Sequence, residues 1–515
     1  MTQTSNLTIT NKQTVATLVK SVGLLLGPLV AIIFLFNLPD HFAVQGKQVE
    51  FTAAGRATLA VMTWMSIWWL TECVHVTVTA LLPLALFPIL QIADINQTAE
   101  PYAHRLIFLY MGGFFLAMAM DHWGLGKRIA LMTINFVGTK PHRIIAGFML
   151  TTAVLSAFVS NTATAVMMVA IAGNLTKLVN VQHKESKFPA GNFAICLMLG
   201  IAYAASIGGM ATIIGTPPNS FLVGFLRDGI AEPYRTDISF IKWMMLGVPV
   251  ALLLLPLAYL ALINLFRFEA SEIQGGKQLI QQELRSLGRL KYSEWVVLSL
   301  FSLTVALWLS RSGLQAVEFT WNDLTYQPFV FVTDEAIVML TSFFLFVIPC
   351  RQPGQRFVLE WQTAQNLPWG ILILFGGGLS LAAAVKENGV AEFIGSQTAF
   401  LANVPFWVVL LVVVIGIVFL TELTSNVATT ASLVPVLAAM APSLNLHPYL
   451  LIFPATFAAS CAFMLPVATP PNAIVFGTGQ IQLSNMIRAG LVINGISVVV
   501  LFFSTLIWLR YALGV

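Results

Sequence analysis

The sequence predicts an all-α membrane protein built from two repeats, with helices that break near the membrane midplane. Composition is the first observation: of 515 residues, 57% are hydrophobic and only 9% charged, and the mean hydropathy is +0.84. A soluble domain carries about 25% charged residues. The second is a pair of polar motifs in this apolar background, each present twice. Ser160-Asn161-Thr162 matches Ser425-Asn426-Val427, and Thr216-Pro217-Pro218-Asn219 matches Thr469-Pro470-Pro471-Asn472. The third is the fixed offset between copies. Gly112-Gly113, Ala117, Gly124 and Ser160-Asn161 recur 265 residues later at Gly377-Gly378, Ala382, Gly389 and Ser425-Asn426. The second copy is then shorter, and Ala204-Ala205-Ser206 aligns with Ala458-Ala459-Ser460 at an offset of 254.

The elements follow in order. Residues 1–17 form a polar N-terminal tail, and the first apolar stretch, 19–38, is long enough to cross about 30 Å of hydrocarbon as helix. It lacks a small-residue cleavage site and reads as a retained helix, not a signal peptide. Apolar segments continue near 56–71, 76–93 and 104–122. Segment 143–182 holds the first Ser-Asn-Thr, 189–229 holds the first Thr-Pro-Pro-Asn, and 240–266 is apolar again. This membrane region, 18–266, contains the first repeat. In the polar loop 267–291, Arg267, Lys277, Arg285, Arg289 and Lys291 alternate with Glu269, Glu272 and Glu283. The excess of basic residues predicts a cytoplasmic loop, and it accounts for a net charge of +4 without a nucleic-acid surface. The second membrane region, 292–515, has apolar segments near 292–311, 332–350 and 368–386, then motif-bearing segments 391–442 and 447–480, and a last span at 485–512. Cys73, Cys196, Cys350 and Cys461 lie in apolar segments without a pairing or metal-ligand pattern.

The motifs carry the chemistry. Proline lacks an N–H and clashes with the preceding turn, so each Pro-Pro pair is expected to break its helix. In hydrocarbon the freed groups survive only when buried in protein or lining a cavity. There the carbonyls attract cations and the helix N-termini attract anions. Ser, Thr and Asn add neutral oxygens and N–H donors. Ser156 precedes Ser160 by four residues and Thr421 precedes Ser425 by four. On a helix such positions share one face, which predicts a stacked hydroxyl pair leading to an asparagine in each half: a cage for sodium. No Lys or Arg lies within 144–176, 188–226, 415–446 or 448–480. An anion held there is neutralised by bound cations and helix ends, which makes its affinity and that of the cation mutually dependent. Glu422 is a carboxylate at depth that either raises cation affinity or holds its hairpin together. Glu72, His75, Asp121 and His122 read as residues of the membrane interface.

These motifs resemble the divalent anion/sodium symporter family, whose members carry dicarboxylates, citrate or sulfate. The resemblance runs from about residue 55 to near the end of the chain. It is carried by Ala459-Ser460, Phe463, Pro466-Val467-Ala468, Asn472 and Ile474-Val475, and by Trp68-Trp69-Leu70-Thr71-Glu72 through Thr79-Ala80-Leu81-Leu82-Pro83. His75 stands where a proline is common. The resemblance implies about eleven transmembrane helices, two inverted repeats, two re-entrant hairpins with Ser-Asn-Thr at their tips, and a homodimer. It implies one sodium site at Ser156, Ser160, Asn161 and the backbone of Gly215. A second would use Thr421, the backbone of Thr424, Asn426 and the backbone of Ala468. The substrate would meet Ser160, Asn161, Thr162, Ser425, Asn426 and Val427, with Thr216, Pro217, Thr469 and Pro470. Val427 departs from the pattern, because a valine replaces a hydroxyl donor.

The expected activity is secondary active transport in the cell (inner) membrane: symport of C4-dicarboxylates such as succinate, malate or fumarate by alternating access, with two or more Na+ as coupling ions. A citrate carrier and a sodium-independent dicarboxylate exchanger share the fold, which alone does not separate them. An anion channel needs a continuous pore, and two midplane breaks favour a carrier. The apolar segments contain no nucleophile–base pair, metal-ligand cluster or acid dyad, so the sequence does not read as an enzyme.

Overall fold

Inside a bilayer the backbone must satisfy its own hydrogen bonds, and this chain does so almost entirely as helix. The computed structural model describes residues 3–44, 47–138, 140–182, 191–268, 276–321, 324–352 and 354–515. Glu269 and Glu272 of the polar loop lie outside the described residues. The first half comprises α1 (Gln3–Asn37), a hairpin of β1 (His41–Val44) and β2 (Lys47–Glu50) with His41 opposite Glu50, then α2 (Ala53–Thr71), α3 (Val76–Thr79), α4 (Leu82–Ile89), α5 (Ile95–Ala99) and α6 (Arg105–His122). It continues with α7 (Leu125–Val137), α8 (Pro141–Ser156), α9 (Asn161–Gln182), α10 (Asn192–Gly209), α11 (Pro217–Gly224) and α12 (Phe240–Leu265). The second half holds α13 (Gly276–Ser286), α14 (Tyr292–Gln315), a hairpin of β3 (Phe319–Trp321) and β4 (Leu324–Tyr326), α15 (Asp334–Val347), α16 (Trp361–Ala364), α17 (Trp369–Glu387) and α18 (Val390–Thr398). It ends with α19 (Phe406–Leu420), α20 (Asn426–Ser443), α21 (Tyr449–Ala459), α22 (Pro470–Gly477), α23 (Leu483–Ser504) and α24 (Arg510–Leu513). Among the described residues, seven helices are long and apolar enough to cross a membrane alone. The bent pair Val390–Asn403 and Phe406–Leu420 (120°) makes an eighth if it is taken as one span, against the eleven expected.

Side chains stop and start these helices as capping chemistry requires. Thr52 accepts from Gly55 N at the start of α2, Ser239 from Lys242 N at α12, and Thr333 from Ala336 N at α15. The polar segment expected as a tail forms the first turns of α1.

Two ends of the molecule can be followed through contacts. Arg105, at the start of α6, pairs with Asp237 at 2.8 Å and Glu335 at 3.3 Å. At the far end of the same helix, Trp123 donates to Val358 O at 2.8 Å, and Arg128 bonds both Glu294 and the carbonyls of Leu287 and Gly288. The second end is therefore that of the basic loop. The first hairpin, α8–α9, starts there: His142 packs on Phe268 at 4.6 Å, and Asn192, which opens α10, donates to Arg267 O at 2.8 Å. The second hairpin, α19–α20, closes at the opposite end, where Thr398 bonds Ser443 at 3.1 Å and Tyr449 donates to Tyr234 O at 2.7 Å. The repeats are thus inverted.

The repeat positions meet at its centre. Tyr110 of α6 and Phe375 of α17, 265 residues apart, pack edge to face at 5.0 Å. The core is built on α10, every residue of which from Phe193 to Gly209 is buried, while α1, α12 and α23 turn apolar side chains outward. The repeated glycines are packing devices. A Cβ on Gly112 would come within 2.8 Å of Val338, and one on Gly377 would strike the carbonyl of Ala80. We expect Gly377→Val to abolish a monodisperse peak on size-exclusion chromatography in detergent, whereas Gly416→Val, which meets open space, is tolerated.

Candidate functional site

The helix breaks do not fall at the prolines. The helix α10 ends at Gly209 and residues 210–216 are unwound; Pro217 and Pro218 then open α11. Likewise α21 ends at Ala459 and Pro470 opens α22. This corrects the expectation that the Pro-Pro pairs are themselves the breaks. At the first turn of a helix a missing N–H costs nothing and the fixed φ helps, so the prolines restart each helix. Asparagine holds each unwound segment. Asn219 Nδ2 donates to Gly209 O at 3.0 Å and Thr212 O at 2.7 Å; Asn472 Nδ2 donates to Ala462 O at 3.1 Å and Leu465 O at 3.0 Å. Both asparagines are fully buried. In the first break Tyr110 adds a brace, with its hydroxyl 2.7 Å from Ile213 O and 3.0 Å from Thr216 O.

The second correction concerns the hydroxyl pairs. Ser156 ends α8 and Ser160 precedes α9, so they flank a hairpin tip and do not share a helix face. Thr421 and Ser425 flank the other tip. What meets instead is a triangle, identical in the two repeats. Ser156 Oγ donates to Ala205 O at 2.8 Å and lies 2.5 Å from the Asn161 amide. Thr421 Oγ1 donates to Ala459 O at 2.8 Å and lies 2.8 Å from Asn426 Oδ1. The same end of the Asn161 amide is 3.1 Å from Ala205 O and 3.3 Å from Gly215 O. With its nitrogen there, Asn161 donates to these carbonyls. With its oxygen there, carbonyl, amide and hydroxyl oxygens converge in the set that a hard cation takes. Thr424 is turned away: its hydroxyl donates to Leu420 O and bonds Thr429.

Both tips and both restarts open on one cavity of about 640 Å³. Its lining includes Ser160, Asn161, Thr162, Thr216, Pro217, Ser425, Asn426, Val427, Thr469 and Pro470, all ten of the substrate-contacting residues expected from the sequence, together with Gly215 and Ala468. Ser156, Thr421 and Thr424 lie buried outside this lining. Four helices, α9, α11, α20 and α22, begin at the cavity, so four positive dipole ends face it. No Lys or Arg is among the residues that line it.

The two charged lining residues were not expected from the sequence. Glu72 and Asp121, which the sequence places at the membrane interface, line the cavity, as do Phe114 and Met118. Composition carries no signal for this. His75 does not join them; it caps α3 by accepting from Thr77 N at 3.3 Å. Glu422 holds its hairpin. Its carboxylate accepts from Phe463 N at 2.6 Å, Met464 N at 2.9 Å, Leu465 N at 3.1 Å and Asn494 Nδ2 at 2.7 Å. The matching position in the first repeat is Ala157, whose carbonyl is bonded by the Thr212 hydroxyl.

Inverted repeats whose broken helices and hairpin tips meet in a single cavity define a secondary transporter. The chain matches the family model described as the sodium:sulfate symporter transmembrane region across residues 24–514, and it belongs to that family. It is 41% identical over 485 residues to the sodium-dependent dicarboxylate transporter SdcS of Staphylococcus saprophyticus, covering 93% of this chain and 89% of that one. It is 38% identical over 499 residues to SdcS of Staphylococcus aureus, covering 96% and 92%. Among solved structures it resembles the Alcanivorax borkumensis YdaH transporter (TM-score 0.59, 14% identity, covering 96% of this chain and 98% of that one). It also resembles Neisseria gonorrhoeae MtrF (TM-score 0.53, 12% identity, covering 96% and 94%). At that identity the likeness speaks for the fold alone. The chain is a multi-pass protein of the cell membrane and a transporter, not an enzyme.

Removing the Glu422 carboxylate orphans four donors, each at a cost of roughly 1–3 kcal/mol. Glu422→Ala is expected to lower the thermal unfolding midpoint in detergent well beyond Ser380→Ala, which loses one bond to Thr98 O.

Proposed function

We propose that this protein is a sodium-coupled symporter of C4-dicarboxylates such as succinate, malate or fumarate, working by alternating access as a homodimer. The observation that carries this reading is the convergence of both motif pairs on one cavity with four helix N-termini and no cationic side chain. N-terminal N–H groups and the hydroxyls of Ser160, Thr162 and Ser425 recognise the two carboxylates. The bound cations supply the missing neutralising charge.

The mechanism follows from the paired triangles. In the empty carrier the Asn161 amide nitrogen satisfies the carbonyls of Ala205 and Gly215. An arriving Na+ replaces it, and the amide turns its oxygen to the ion. This fixes the hairpin tip and presents the N–H groups at the start of α9 to the substrate. In the second repeat the Asn426 oxygen already faces the Thr421 hydroxyl, and Thr421, Asn426 and the backbones of Thr424 and Ala468 hold the second ion. Two ions then balance one dianion, and the loaded unit crosses with its charge compensated. The SdcS relatives, sodium-dependent dicarboxylate transporters by name, support both the ion and the substrate class. Val427 favours a larger substrate as the second reading. It lines the cavity without a hydroxyl, and about 640 Å³ leaves room for citrate.

Labelled succinate uptake into proteoliposomes tests this reading, with an inward sodium gradient against a potassium control and with excess unlabelled dicarboxylate, citrate or sulfate. Uptake that requires sodium and is blocked by unlabelled dicarboxylate supports symport. Uptake that ignores sodium but requires dicarboxylate preloaded inside makes the protein an exchanger. Asn161→Ala and Asn426→Ala are each expected to abolish sodium-dependent uptake at unchanged expression; near-normal uptake by either removes that cation site. One hydrogen bond to a charged group contributes about 1.5–3 kcal/mol. Val427→Thr should therefore raise succinate affinity relative to citrate, as read from the ratio of their KM values.

A further inference from the structure

A second cavity, of about 540 Å³, lies at the end opposite the basic loop. It is bounded by the last turn of α17, by α18, by the far half of α20, and by Phe225, Ile230 and Tyr234 beyond α11. Its charged lining residues are Lys386 and Glu392, whereas those of the motif-bearing cavity are Glu72 and Asp121. The formal charges thus cancel in one and amount to minus two in the other.

Lys386 and Asp121 are the same position of the two repeats, 265 residues apart, each in the last turn of its helix. Because the repeats are inverted, this position lines a cavity at each end of the molecule, with opposite charge. Glu392 corresponds to Lys127, but Lys127 is occupied by Glu283 at 3.0 Å and does not line the main cavity. Among the described residues neither Lys386 nor Glu392 makes an ion pair, so both charges act on whatever enters. The nearby arginines are taken: Arg235 bonds Asp228 at 3.1 Å, and Arg227 lies 3.7 Å from the same carboxylate.

We propose that the cavity at Lys386 is the external antechamber for a dicarboxylate dianion, and that Glu72 and Asp121 form its acidic internal counterpart. The proposal rests on the symport reading and on the basic loop being cytoplasmic, which sets the Lys386 end outside. Charge lining a cleft with low-dielectric walls focuses the field and raises the local concentration of the opposite sign. Lys386 attracts the dianion from outside against the opposing charge of Glu392, so the outer cavity is neutral overall where the inner one is repulsive. On the inner side two carboxylates repel it, speeding its departure, and concentrate sodium. The asymmetry changes rates and apparent affinities at each face; the accumulation ratio is still set by the coupled gradients.

The test measures external KM for labelled succinate in intact cells at fixed sodium, and internal KM in inverted membrane vesicles. Sodium-dependent uptake by the unaltered protein is the prior condition, and its absence defeats the symport reading rather than this one. Lys386→Gln is expected to raise the external KM about fivefold at low ionic strength, Lys386→Glu more, with the saturated rate kept. Lys386→Arg restores it, Glu392→Gln lowers it, and added choline chloride shrinks every difference. Internal KM stays unchanged in these variants and falls in Asp121→Asn. An external KM unmoved by both Lys386→Gln and Lys386→Glu overturns the proposal, as does a change of equal size at both faces. Should the Gln and Glu variants not accumulate, Lys386→Cys in a Cys73→Ser, Cys350→Ser background decides: charge restored by an impermeant trimethylammonium-ethyl thiol reagent must lower external KM, and no change overturns the idea.

Discussion

Everything in this protein depends on partners for backbone groups that a broken helix exposes inside a membrane. Each break frees carbonyls and N–H groups where no lipid can bond them. The chain answers twice with a buried asparagine, Asn219 and Asn472, whose amide spans the gap between the last carbonyls of one half-helix and the next turn. The second break needs more. It lacks the hydroxyl of Thr212 and the brace of Tyr110, and the Glu422 carboxylate collects three consecutive backbone N–H groups in their place. A buried charge is tolerable here because four donors surround it. Only with the breaks held in this way can Gly215 and the starts of α11 and α22 be left lining a cavity.

The site is consequently made of dipoles. Four helix starts and a set of neutral oxygens face one space, and the side chains that would bind an anion most simply, Lys and Arg, do not line it. A cavity lined by arginine would hold a dicarboxylate without help and release it slowly. One lined by helix ends holds it only when a cation is nearby, and the linkage is reciprocal. In the proposed symport, that weakness of the empty site is what enforces coupling. The two repeats share this chemistry and differ at their margins, in Val427 against Thr162, Glu422 against Ala157, and Lys386 against Asp121.

Much of this was legible in the chain, residue by residue. The offset of 265 predicted that Ser156 and Thr421 have one environment, and they do, each bonding an asparagine and the carbonyl of a matching alanine. The local geometry was less legible. Ser156 and Ser160 are four apart, the spacing of a helix face, yet a turn lies between them. A short polar segment in an apolar run gives no local sign of whether the chain continues or reverses. The prolines misled in the same way, because Pro-Pro is equally compatible with ending a helix and with starting one.

The sequence by itself determined the membrane class, the repeat and the identity of the residues that meet, because hydropathy and motif order are properties of the chain read in one dimension. The tertiary structure alone decided which carboxylates see the cavity. Glu72, Asp121 and Glu422 are all acidic residues at the ends of apolar runs. One is consumed by backbone N–H groups and two face open space. That division depends on where helices far apart in sequence cross, and on the unwound turn that happens to lie opposite each side chain.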